Sequence, residues 1–124
     1  MAGRRTNTRM DTTGFTVIEL LAVVVFIGIL ATIAMARYPY VRERAGNAAA
    51  TSDLKNAAVF QEDYYSTNAT YADQAALDDG ISVTENVTVT VLSSSSGGYE
   101  LSAKHAASSK TFCLSSADGA VVDC

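Results

Sequence analysis

The hydrophobic pattern of this chain changes period twice. From Leu20 to Ala36 there are seventeen consecutive uncharged residues. That approaches the about 20 apolar residues a helix needs to span a bilayer. Phe15 to Ile18 complete the length, but only by admitting one acid, Glu19. Pro39 is the only proline; it lacks an N–H and its ring crowds the carbonyl of Met35, so a helix should kink here or stop. The stretch after Pro39 is Ala-rich, and Leu54, Ala57, Ala58, Gln61, Tyr64 and Tyr65 recur at three- and four-residue steps. The pattern therefore predicts one kinked helix from Phe15 to about Tyr65, roughly 75 Å long at 1.5 Å per residue. A domain of this size cannot bury such a rod along its length, so one end must project and find lipid or copies of itself.

Ser66 to Gly80 reads as a loop with a short helical turn. The period then becomes two. Val87, Val89 and Val91 alternate with Thr88 and Thr90, and Tyr99, Leu101 and Ala103 alternate with Glu100, Ser102 and Lys104. With Ser93 to Gly98 as a flexible turn, these runs predict a hairpin with one buried face. Thr111 to Leu114 and Ala120 to Asp123 are candidate third and fourth strands, joined by the turn residues Ala117-Asp118-Gly119. The fold class is α+β: a long N-terminal helix with a projecting hydrophobic half, packed through its Leu54 face on a small antiparallel sheet of three to four strands.

Charge sharpens this picture. The first fourteen residues carry Arg4, Arg5 and Arg9 against Asp11, with no apolar periodicity. Basic residues ahead of an apolar run hold that end in the cytoplasm and place the body outside. The other 110 residues carry six basic and twelve acidic groups, a balance of −6 that accounts for the overall −4 and argues against nucleic acid as a partner. An ordinary signal peptide is a poor description, because Ala34-Met35-Ala36 is the nearest approach to a small-residue cleavage site. Cys113 and Cys124 suit a disulfide in an oxidising compartment, with free thiols as the alternative; two lone cysteines are a poor zinc set.

The residues Gly14-Phe15-Thr16-Val17-Ile18-Glu19, followed by Leu20-Leu21-Ala22-Val23-Val24, resemble the type IV prepilin signature. A basic polar leader ends in Gly, an aromatic residue opens the apolar run, and a single acid sits at its fifth position. The resemblance is close from Gly14 to Ala34 and weak beyond. It implies removal of residues 1–14 as a leader by a prepilin peptidase cutting between Gly14 and Phe15, and methylation of the new amine. It implies further that residues 15–38 form a transmembrane and assembly helix, and residues 39–124 a globular head that includes the second half of the helix. The implied partners are identical subunits, the peptidase, the inner-membrane assembly machinery and, before assembly, the membrane itself. The implied place is the cytoplasmic membrane and then an extracellular filament. No cofactor or metal is implied, and the catalytic groups of the peptidase lie in another protein.

Within that resemblance, Glu19 has a specific role. A carboxylate in lipid costs several kcal/mol unless paired. Cleavage creates an amine at Phe15, one helical turn away, and pairing it with Glu19 of a neighbouring subunit would set the axial register. Snorkelling to the interface, where the helix dipole also favours an acid, is the plainer alternative. Gly28 is a candidate for close approach or local melting of the helix, at a cost of about 1 kcal/mol relative to Ala. The family often carries Pro where this chain has Ala36, so its Pro39 moves the expected kink. Cys113 and Cys124 match the family's C-terminal disulfide loop, worth about 2–3 kcal/mol.

Several residues invite functions that the pattern does not support. Asp118 and Asp123 lack a calcium-loop spacing. His105, the only histidine, has no catalytic partner motif and reads as a surface residue. Tyr38 and Tyr40 fit a membrane interface, and Tyr64, Tyr65, Tyr71 and Tyr99 read as packing residues. Absence of any nucleophile–base pair or metal cluster makes an enzyme the weakest class. The alternatives that remain are a pseudopilin of a type II secretion or DNA-uptake system and, from another class, a single-pass anchored binding domain.

Overall fold

A computed structural model describes Gly3 and residues 14–124. The expected leader therefore lies outside the described residues except at Gly3 and Gly14. The chain divides into two compact units, one ending at Ala36 and one covering Arg37–Cys124, which contains the expected head.

Helix α1 spans Val17–Asn68, 52 residues, and continues through both Gly28 and Pro39. Its start is a capping box. The backbone N–H of Thr16 donates to Glu19 Oε2 (2.9 Å), and the N–H of Glu19 donates back to Thr16 Oγ1 (3.3 Å). Every residue from Gly14 to Arg42 is exposed, so the apolar run has no cover among the described residues. Burial begins at Gly46 and then follows Ala50, Asp53, Leu54, Ala57 and Gln61. The expected face is thus right at Leu54, Ala57 and Gln61. Ala58 and Tyr64 are half-buried, and Tyr65 sits at the exposed margin.

The end of α1 is strained. Ala69 adopts φ 55°, a left-handed conformation, while its N–H closes the last turn on Tyr65 O (2.9 Å). A side chain is penalised in that conformation and glycine is not, so Ala69→Gly should stabilise the head by about 0.5–1 kcal/mol after allowing for the freer unfolded chain. Thermal unfolding followed by circular dichroism should show a midpoint about 2–5 °C higher. An unchanged or lower midpoint would refute the strain.

Helix α2, Gln74–Gly80, is capped at its start by Asp73, whose side chain accepts from Ala76 N–H (2.9 Å). Four antiparallel strands come next in the order β1 (Val87–Ser94), β2 (Tyr99–His105), β3 (Phe112–Ser115) and β4 (Val121–Asp123), each paired with its neighbour in sequence. Val89 faces Ala103 and Val91 faces Leu101 before the register shifts between Val91 and Ser93. Leu92 still points outward with Thr88 and Thr90, and the alternation ends after it, at Ser93. On the inner face Val87, Val89, Tyr99, Leu101, Ala103 and Leu114 join Ala50, Leu54 and Ala57 of α1 and Leu77 of α2 in one core. Gly119, at φ 64°, makes the turn between β3 and β4.

Three polar side chains tie the connections down. Gln61, fully buried, donates to Ala72 O (3.0 Å) and accepts from Ala72 N–H (2.7 Å), docking the end of the α1–α2 loop. Asp53, also buried, accepts from the N–H and the hydroxyl of Thr84 (2.7 and 3.1 Å). Gln74 occupies the open edge of β1, accepting from Val91 N–H (2.7 Å) and donating to Val89 O (3.1 Å). This amide mimics a neighbouring strand and covers the Val89 and Val91 part of the edge.

Candidate assembly site

The candidate site begins at Gly14, just before the helix. Gly14 has no atom within 4 Å of where a Cβ would stand, and Phe15 is 91% exposed. Gly14, Phe15 and Thr16 precede the first helical residue, so the Gly14–Phe15 bond lies in non-helical, accessible chain, as a protease requires.

Glu19 comes three residues after the Thr16 cap. Its Oε2 takes both the N–H and the hydroxyl of Thr16 (2.9 and 3.2 Å), while Oε1 accepts no hydrogen bond from a described residue. Two effects hold a carboxylate here: reciprocal capping of otherwise orphan N–H groups and the positive end of the helix dipole. The T-x-x-E spacing is a capping-box signal in the sequence itself. Among the described residues Glu19 thus uses one carboxylate oxygen and leaves the other without a hydrogen bond.

Beyond Glu19 the helix offers side chains on all sides and no polar side-chain contact until Thr32, whose hydroxyl donates to Ile29 O (2.7 Å). Gly28, like Gly14, has nothing within 4 Å of its Cβ position. This part of α1 is long and apolar enough to cross a membrane, with none of its apolar window buried. Tyr38 and Tyr40 are exposed, and the Arg44 guanidinium lies 5.7 Å from the Tyr40 ring centre.

At the far end of the chain Cys113 and Cys124 form a disulfide with Cα atoms 5.6 Å apart. It ties the last residue to β3, and Cys124 N–H donates to Thr111 O (2.9 Å) beside it. Asp123 pairs with Lys110 (2.8 Å), and this contact raises the lysine pKa above its ordinary value. Asp123 is thus engaged by a cation of its own chain, and among the described residues no group of three or more His, Cys, Asp or Glu side chains is placed to hold a metal.

Tyr65, Tyr71 and Tyr99 pack on one another, as expected of them. Tyr65 stacks on Tyr71 (4.6 Å between ring centres), and Tyr71 meets Tyr99 edge-on (4.7 Å). Burial pushes the Tyr99 hydroxyl up to about 12, and the Glu62 carboxylate nearby adds to the effect. His105 departs from the surface position expected of it. It is half-buried against α1, with a Cβ built on Gly46 only 2.7 Å from its Nδ1, and that same nitrogen accepts Ala107 N–H (3.0 Å). Ser108, donating to Asn47 Oδ1, continues this seam along the helix. Neither contact was readable in sequence, because the partners lie some sixty residues apart.

No protein-family model matches the chain. Over 95 residues it is 40% identical to the type IV wide pilus major component PilA4 of Thermus thermophilus, a match covering 74% of this chain and 72% of that protein.

Proposed function

The chain belongs to the type IV pilin family, and from that premise we propose that it is the precursor of a structural subunit that assembles with copies of itself into a type IV pilus. It is a building block and not an enzyme. The observation that carries the reading is the match to a named pilus component by a chain whose apolar helix is uncovered along its whole first half.

In this reading a prepilin peptidase cuts between Gly14 and Phe15 and frees an amine at Phe15. The helix 15–38 waits in the cytoplasmic membrane until the assembly machinery moves it into a bundle of identical helices. There Glu19 receives the amine of a neighbouring Phe15 on its open oxygen, which selects one axial stagger. Gly28 and Pro39 are the points at which the helix yields to fit that bundle. The head, residues 39–124, faces water outside the cell, closed at its end by the Cys113–Cys124 loop. A pseudopilin would share the motif; likeness to a pilus component and the cystine near the C-terminus favour the pilus.

Gly14 tests processing. A bulky side chain there collides with the cleft of a peptidase that requires glycine, whereas a permanent membrane anchor would not depend on it. Gly14→Leu expressed in cells that carry the peptidase should accumulate as uncut, membrane-bound precursor by mass spectrometry, with no filaments. Normal trimming of the variant, or a wild-type chain that is never trimmed, would refute the reading.

A further inference from the structure

We propose that the Arg42 end of the head is a binding site for the phosphate of an anionic phospholipid headgroup, occupied while the subunit waits in the bilayer. The inference rests on the membrane-anchored stage of the proposed function and adds a ligand to it. A cleft of about 370 Å³ opens at this end, lined by Pro39, Arg42, Asn86, His105, Ala106 and Ala107. Its polar lining is rich in donors. Arg42 brings a planar guanidinium suited to phosphate oxygens and makes no salt bridge to a described residue. Asn86 brings a side-chain amide. His105 uses Nδ1 to accept Ala107 N–H (3.0 Å), which leaves Nε2 as the nitrogen bearing the proton.

These groups are held in place before any ligand arrives. The His105 ring lies against Gly46, where any side chain would collide with it. Asn86 is in the left-handed region at φ 65° and its carbonyl accepts Ala106 N–H (2.8 Å), fixing one wall to the next. Lys104 lines an adjoining depression that shares Asn86 and Ala106. No carboxylate is among the residues that line the cleft. The acids closest in sequence are Glu43, which accepts from the Ser109 hydroxyl (3.1 Å), and Glu85, which is exposed. On a body with twice as many acids as bases, a cleft lined by a guanidinium, an imidazole and an amide selects an anion.

Its place along the chain selects the source of that anion. Arg42 comes six residues after Ala36, the last of the uncharged run, which is less than two helical turns. The exposed Tyr38 and Tyr40 lie between, as aromatic residues do at the headgroup layer. A phosphate at that depth belongs to a lipid, and its capture would fix the height of the waiting head above the bilayer.

The test places the full-length chain in phosphatidylcholine nanodiscs containing a minority of phosphatidylglycerol and counts retained lipids by native mass spectrometry. Wild type should hold about fivefold more phosphatidylglycerol than Arg42→Gln, the expected pull of one basic residue at a membrane surface; Arg37 and Arg44 remain in both. Lys55→Gln, the same charge change on an exposed α1 position outside the cleft, should keep the wild-type enrichment. Equal enrichment in Arg42→Gln, or equal loss in Lys55→Gln, would overturn the site. So would displacement of the lipid by millimolar inorganic phosphate, or Arg42-dependent binding of duplex DNA without lipid enrichment. A chain that never enters the nanodisc sinks the membrane stage of the proposed function; one that enters without enrichment sinks the cleft alone.

Discussion

Glu19→Gln is expected to abolish filaments as completely as Glu19→Ala. The two variants separate the jobs that the carboxylate performs. Glutamine at this position still closes a capping box with Thr16, so the helix start survives, whereas alanine loses the bond that reaches back to Thr16 N–H. Neither side chain can neutralise a neighbour's amine in a dry bundle. An uncompensated charge there costs on the order of 3 kcal/mol per subunit, and each ~1.4 kcal/mol is tenfold in an equilibrium constant, so assembly should drop by about a hundredfold. Thr16→Val is the converse variant: it removes the hydroxyl from the cap, leaves the charge and should leave filaments in place. The readout is pilin in the sheared fraction against pilin in the membrane fraction. Rescue by Gln would make Glu19 a helix cap and nothing more.

Gly46→Ala should destabilise the head, against the ordinary sign of that substitution. In an open helix alanine gains about 1 kcal/mol over glycine. Here the added Cβ would stand 2.7 Å from His105 Nδ1 and 2.8 Å from Cγ. Those atoms are near the ring's attachment, so the imidazole cannot swing aside without losing the Ala107 N–H bond and disturbing the seam through Ser108 and Asn47. Overpacking of this kind costs about 1–3 kcal/mol. Chemical denaturation of the head should show it as a lower midpoint at unchanged slope. Gly28→Ala, at a position with open space around it, should leave the head's midpoint where it was. A stabilised Gly46→Ala head would mean the close approach is not there.

Features written in one stretch of chain were legible in sequence. The uncharged run to Ala36, the switch to alternation at Val87, and the Leu54, Ala57, Gln61 face each carry their own period, and the structure places α1, β1, β2 and the core accordingly. The two short strands were legible to within one or two residues because Gly119 punctuates them. Long-range polar contacts were not legible. Asp53 and Thr84 are 31 residues apart, and Gln74 reaches Val91 across 17. An acid or amide on a helix reads as solvated unless its partner's backbone is known to pass by. His105 was misread for the same reason: its neighbour is a glycine 59 positions away in the chain, and glycine announces no contact. At the candidate assembly site the Gly14, Phe15 and Glu19 motif is written in one short stretch, and so is the T-x-x-E spacing that the sequence reading passed over.

The most direct measurement is the N-terminal sequence and mass of the subunit recovered from filaments sheared off intact cells. A chain beginning at Phe15, bearing a free or methylated amine and ending in an intact Cys113–Cys124 bond, is the expected result. Subunits that begin at Met1, or after Ala36, would contradict it, since no amine would then stand one helical turn from Glu19.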